Sequence, residues 1–232
     1  MQSWTEIKKI ENPSEEEQLE AVGLNWFAIS LIQNPTEKVQ QVAFEKNVQA
    51  ILYIKEPSEA LKTSLNAISE EKLQTAIQAD PNILKYIQNP ELLKAAVRAD
   101  WTIVKKIEGA GDDLWAEAVR QSAEAMKFVR NPGPKVQIAA VERNPEYIQE
   151  VMRPTPELVA AAVRTDYRVF ELVSVRNRMM ENIQMAAVEA DFRAIQFVSR
   201  PGEKVQMAAV RQNKAALQYI ANPTQSVKDF CT

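Results

Sequence analysis

Apolar and polar positions along this chain repeat with a period near 22 residues. Three segments make the period visible: VQIAAVERNPEYIQEVMRP (Val136 to Pro154), VQQVAFEKNVQAILYIKEP (Val39 to Pro57) and VQMAAVRQNKAALQYIANP (Val205 to Pro223). Each opens on an apolar residue and places a second five positions later, with Asn three after that; apolar residues follow at four and seven further on, and then Pro. A period of this size predicts stacked helical hairpins that bury their apolar faces only against their neighbours. The second apolar position runs Val22, Phe44, Ile77, Val97, Val119, Val141, Val163, Val188 and Val210. Three residues after each stand Asn25, Asn47, Asp80, Asp100, Ser122, Asn144, Asp166, Asp191 and Asn213. All are residue types whose side chains accept hydrogen bonds from the free N–H groups that open a helix.

Each repeat therefore reads as a helix A of about ten residues followed by a helix B of about eight. Apolar residues three apart, such as Ile51/Ile54, Ile148/Val151 and Leu217/Ile220, would line one face of helix B. Asn-Pro is a second punctuation mark, at Asn12, Asn34, Asn89, Asn131 and Asn222. Thr36 and Glu37 behind Asn34-Pro35 give the spacing of a capping box. Ala-Ala pairs in helix A (Ala95-Ala96, Ala139-Ala140, Ala208-Ala209) would let neighbouring helices approach closely. The expected fold is all-α: a right-handed α-solenoid of about ten short hairpins.

Two steps break the period. From Phe44 to Ile77 the step is 33 residues: Leu61–Ser69 reads as a helix A, Ser69 starts another at once, and a helix B is missing. The two A helices are expected to pack on each other and turn the stack within 57–69, near Ala67–Ser69. From Val163 to Val188 three extra residues enter, within 175–182, where the Pro is also lost. Insertions of this kind in repeat arrays lie on one face, often the binding face. The array thus divides into repeats 1–67, 69–174 and 175–232, and it opens and closes in mid-repeat.

Composition narrows the chemistry. There is no histidine, one cysteine (Cys231), and only five glycines. Those counts remove the commonest general base, imidazole and thiolate metal ligation, and a phosphate-cradling glycine loop. No catalytic residue, cofactor or metal is expected. No apolar run approaches a membrane span and the first residues carry no signal-peptide core, so the expected compartment is the cytoplasm.

Charge is unevenly placed. Residues 1–116 hold 12 Lys+Arg against 18 Asp+Glu, whereas 117–232 hold 16 against 13. Eleven of the twelve arginines lie after residue 117. Arg130, Arg153, Arg176 and Arg200 recur near the end of helix B in four successive repeats, a ladder suited to carboxylates or phosphates. The same placement also suits plain complementation of helix C-termini. With Arg178 and the adaptable pair Met179-Met180 of the inserted loop, these form the candidate partner-binding set. Arg98, Arg120, Arg164 and Arg211 make a second series, but Glu142 and Glu189 interrupt it, as on a solvated face. Aromatics late in helix B (Tyr53, Tyr86, Phe128, Phe197, Tyr219) suit contacts between repeats, or base stacking.

The motif NP-x(2–4)-V-Q-x-A-A-V-x-x-N-x-x-x-I-Q-x-I, as in Asn131 through Val151 and Pro201 through Ile220, resembles short α-helical repeats frequent in bacteriophage proteins. More distantly it is similar to leucine-rich-repeat-variant and HEAT-like solenoids. The variant family's iron–sulfur cluster is not implied, since the cysteines to hold it are missing. HEAT-like DNA glycosylases rely on a basic surface that the acidic first half lacks. The resemblance implies a non-enzymatic cytosolic binding protein, phage-encoded and inhibiting a host protein, a defence system being the concrete case. An acidic protein surface is the expected partner. A nucleic acid bound along the arginine ladder, and a small-ligand trap or carboxylate-based enzyme, stay open as alternatives. A net charge of −3 disfavours the first of these, and missing histidine the second.

Overall fold

A computed structural model describes residues 1–232 and contains 22 short helices and no strand. They form two compact units, Met1–Ala110 and Gly111–Thr232.

Apart from α3, α9 and the last helix, the local unit is the same throughout. A ten-residue α-helix ends on an Asn, Asp or Ser in extended conformation, and that residue opens a six-residue 3₁₀ helix. Asn47 shows how one side chain serves both: its N–H donates to Ala43 O at 3.0 Å, and its Oδ1 accepts from Gln49 N at 2.9 Å. Helix B is therefore shorter and tighter than the expected eight-residue α-helix. The reason lies in the apolar spacing. In a 3₁₀ helix residues i and i+3 eclipse, so Ile51 and Ile54 both face the core, at 0% and 4% exposure. The C-cap N–H then closes an i→i−3 bond, Ile54 N to Ile51 O, and the chain goes extended into the Pro turn.

The α-helix caps also differ from the reading of Asn-Pro. Except at Asn89, the N-cap position lies two residues beyond that Asn, at Ser14, Thr36, Gly133 and Thr224, of which Ser14 and Thr36 make the side-chain capping bond. The capping box is Ser14–Glu17, not Thr36–Glu37: Ser14 N donates to Glu17 Oε2 at 2.8 Å and Glu17 N to Ser14 Oγ at 3.3 Å. Thr36 instead accepts from Val39 N and donates to Glu15 of the preceding repeat.

The first unit runs η1 (Trp4–Lys9), α1 (Glu15–Leu24), η2 (Trp26–Leu31), α2 (Glu37–Lys46), η3 (Val48–Tyr53), α3 (Glu59–Leu65), α4 (Glu70–Ala79), η4 (Pro81–Tyr86), α5 (Pro90–Ala99) and η5 (Trp101–Lys106), η denoting a 3₁₀ helix. Its core gathers Ile7, Val22, Ile29, Ile51, Leu61, Leu65, Leu73 and Ile83. At the irregular step α4 follows α3 directly, with no 3₁₀ helix between them, as a missing helix B predicts. The expected packing of these two helices on each other is corrected: α3 packs on α2, and α4 packs on η3, η4 and α5. Asn66, the C-cap of α3, ties it to the next turn: its Oδ1 accepts from Gln88 N (2.6 Å) and Asn89 N (2.9 Å), and its Nδ2 donates to Tyr86 O (3.1 Å).

The second unit runs α6 (Asp112–Gln121), η6 (Ala123–Phe128), α7 (Pro134–Arg143), η7 (Pro145–Glu150), α8 (Pro156–Thr165), η8 (Tyr167–Leu172), α9 (Val175–Arg178), α10 (Glu181–Ala190), η9 (Phe192–Phe197), α11 (Glu203–Gln212), η10 (Lys214–Tyr219) and α12 (Gln225–Cys231). Here α8 packs directly on α10, so the four-residue α9 leaves the row of α-helices unbroken. Gln206 ties one turn to the next, donating to Pro201 O (2.8 Å) and Asn222 O (3.3 Å) and accepting from Thr224 N (3.0 Å). In the first unit Gln40 makes the same bonds to Pro35, Glu56 and Ser58. This Gln is part of the sequence motif, but its role emerges only when successive turns are brought together.

Candidate functional site

The turns that lead from each 3₁₀ helix into the next α-helix lie along one edge of the second unit. Val129, Val151, Val173 and Val198 end the 3₁₀ helices in extended backbone. Arg130 follows the first by one residue, and Arg153 and Arg200 follow theirs by two. Arg176 sits in α9. Arg130, Arg153 and Arg200 stand past the helix ends instead of in the last helical turn, where complementation of a helix dipole would put them, whereas Arg176 lies within the single turn of α9. All four are exposed, and none makes an ion pair or side-chain hydrogen bond within the protein.

Other arginines of this unit are occupied. Arg168 grips Asp166 through Nε (3.0 Å) and Nη2 (2.7 Å), and Arg193 does the same to Asp191 while stacking 4.2 Å over the Tyr167 ring. Hydrogen bonds from these guanidinium groups hold both Asp carboxyls below the usual carboxylate range. Arg120 pairs with Glu117 and with Glu142, one of the two acids that interrupt the second series. The four edge arginines differ in having no acid of their own.

Beside them lies an apolar surface. Met152 is 85% exposed, Met179 72%, Val175 64% and Met180 48%. The inserted loop is not slack: Asn177, itself buried, donates from Nδ2 to Met152 O at 2.9 Å, which fixes α9 against the preceding turn. Gln184 Nε2 donates to Arg178 O at 2.7 Å from the other side. Arg178 is half-buried and turned inward, its Nη1 3.4 Å from Phe197 O. It braces the loop, and the loop displays Arg176, Met179 and Met180. Buried Asn177 and exposed Met152 were missed in the sequence, where both fall at positions that elsewhere carry unremarkable turn residues.

Arg200 has a second distinction, a left-handed backbone with φ 56°. The same turn position is left-handed at Asn12 (φ 56°) and Gly109 (φ 66°), residue types that accept it at little cost. The late-helix aromatics pack between repeats in part: Tyr53 lies 4.8 Å from Phe27 edge-on, and Phe197 6.3 Å from Tyr167.

No group of three or more His, Cys, Asp or Glu side chains is placed to hold a metal ion. No helix is long and apolar enough to cross a membrane. Comparison with protein-family models, with characterised proteins and with solved structures gives no match for this chain.

Proposed function

We propose that the protein is a non-enzymatic binding scaffold whose second unit engages an acidic surface of a protein partner. One observation carries the reading: four successive turns each present an exposed arginine without an intramolecular acceptor, beside the exposed Met152, Val175, Met179 and Met180. Arginine and methionine are both enriched in protein interfaces, and an apolar patch with a charged rim is the usual composition of one. A guanidinium also loses less ordering entropy per hydrogen bond to a carboxylate than an ammonium does. From the repeat's resemblance to bacteriophage proteins, the partner would be a host protein, and inhibition of a host defence protein the concrete outcome.

The test is a paired affinity capture from bacterial lysate, comparing the protein with a variant in which Arg130, Arg153, Arg176 and Arg200 are all Glu. A protein captured by the former should be lost from the latter while helicity is unchanged. Equal capture by both would sink the reading. Disruption of binding by nuclease treatment, with a steep fall as salt rises, would instead favour nucleic acid.

A further inference from the structure

In the second unit η7, η8, η9 and η10 pack on one another in sequence, but η6 packs much less closely on η7. The cause lies with the α-helices. α6 and α7 lie against each other closely: Ala118 and Ala139 are wholly buried, and Gly133 abuts Asp112 so tightly that a Cβ there would collide with its carboxylate. Ion pairs Lys135–Asp113 (2.5 Å) and Arg120–Glu142 (3.5 Å) join the two helices near both ends. Drawn together there, the repeats open on the 3₁₀ side into a groove of about 400 Å³.

Met126, Val129, Pro132 and Tyr147 give the groove apolar walls, with Arg130 reaching it from the turn before α7 and Arg143 from the last residue of α7. Arg143, like Arg130, is exposed and has no acceptor in the protein. Lys127 also lines the groove but is engaged by Glu124 at 3.6 Å, and Glu150 is the one acid along it. α7 separates the two arginines: ten residues at 1.5 Å each, about 15 Å. An extended chain rises about 3.3 Å per residue, so four or five residues would reach from one arginine to the other.

Building on the proposed acidic partner, we propose that this groove receives an extended segment of it, with a carboxylate at each end and apolar side chains between. Bidentate pairing to Arg130 and Arg143 would fix the register, and the apolar walls would take the middle side chains. Tyr147 is half-buried, and burial, then Glu150, push its hydroxyl above the usual value, so it stays a neutral donor to the segment's backbone.

The test uses a fluorescein-labelled Glu-Leu-Ala-Leu-Glu peptide, capped at both ends, with Gln-Leu-Ala-Leu-Gln as the uncharged control, both read by anisotropy on the full chain. The acidic peptide should bind saturably. The control and the Arg143→Glu protein should each bind at least about tenfold more weakly, and Arg143→Gln should weaken binding without reversing charge. Arg211→Glu, exposed on α11 and outside the groove, should leave peptide binding unchanged. No saturation below about 1 mM, or equal binding by the control or by Arg143→Glu, overturns the groove assignment. Displacement of the peptide by a single-stranded oligonucleotide at lower concentration overturns the choice of a peptide. If Arg143→Glu retains peptide binding while the fourfold arginine reversal abolishes partner capture, the groove fails and the edge reading stands. Loss of binding in Arg143→Glu with intact capture by the fourfold variant gives the opposite division.

Discussion

Both irregular steps in this chain set a short α-helix between a 3₁₀ helix and a ten-residue α-helix, yet the two short helices meet different fates. α3 enters the core of the first unit: Leu61 and Leu65 are 1% and 0% exposed, and Asn66 bonds onward to the turn after η4. α9 stays on the surface of the second unit, where it buries only Asn177 and leaves Val175 and Met179 to solvent. The difference follows from residue spacing. Leu61 and Leu65 are four apart on seven helical residues, so both can face inward. Four residues in α9 make a single turn with one buried position, and that position is an amide. A short helix at such a step thus becomes core when it brings a pair of apolar residues on one face, and becomes display surface when its buried residue is polar.

The largest expected effect breaks that contrast directly. Leu65→Ala should cost the first unit about 2–5 kcal/mol, because a wholly buried side chain is removed from a packed site. Met179→Ala should change the second unit by less than about 0.5 kcal/mol. Amide hydrogen exchange followed by mass spectrometry reads the two units separately; equal destabilisation would show that α9 is as much part of a core as α3.

Next in size, Asn66→Ala removes an acceptor shared by Gln88 N and Asn89 N and a donor to Tyr86 O. A loss of about 1–3 kcal/mol is expected, with faster exchange in α3 and around residue 88. A neutral result would mean that Leu61 and Leu65 hold α3 alone.

The smallest effect has the opposite sign. Arg200→Asn should stabilise the second unit by about 0.5–1 kcal/mol, since Asn tolerates the left-handed backbone that Arg200 adopts. Destabilisation, measured by urea unfolding, would show that the arginine side chain contributes to folding. A stabilised variant with weaker partner capture would mark Arg200 as retained for binding at a cost in stability.

Much of the fold was legible in the sequence because the joints are local. Asn25, Asn47 and Asp191 each cap a helix two residues on, and a bond that short is set by residue type alone. Less legible was the character of helix B. Apolar residues three apart satisfy an α-helix and a 3₁₀ helix alike, and the choice fell to the i→i−3 closure ahead of the Pro turn. The candidate site shows the same division. Charge segregation and the extra residues at 175–182 pointed to the arginine edge. Sequence spacing could not tell that Arg178 turns inward to Phe197 O, or that Met152, twenty-seven residues before Met179, stands beside the same loop.

The 22-residue repeat, the caps and the all-helical class were determined by the sequence itself, since each rests on residue type and spacing within a few positions. Tertiary structure decided which short helix is buried, which amides tie turn to turn, and which arginines are left without an acid. Those outcomes depend on groups some twenty residues apart that meet only when neighbouring repeats stack, and on how closely each pair of helices can approach.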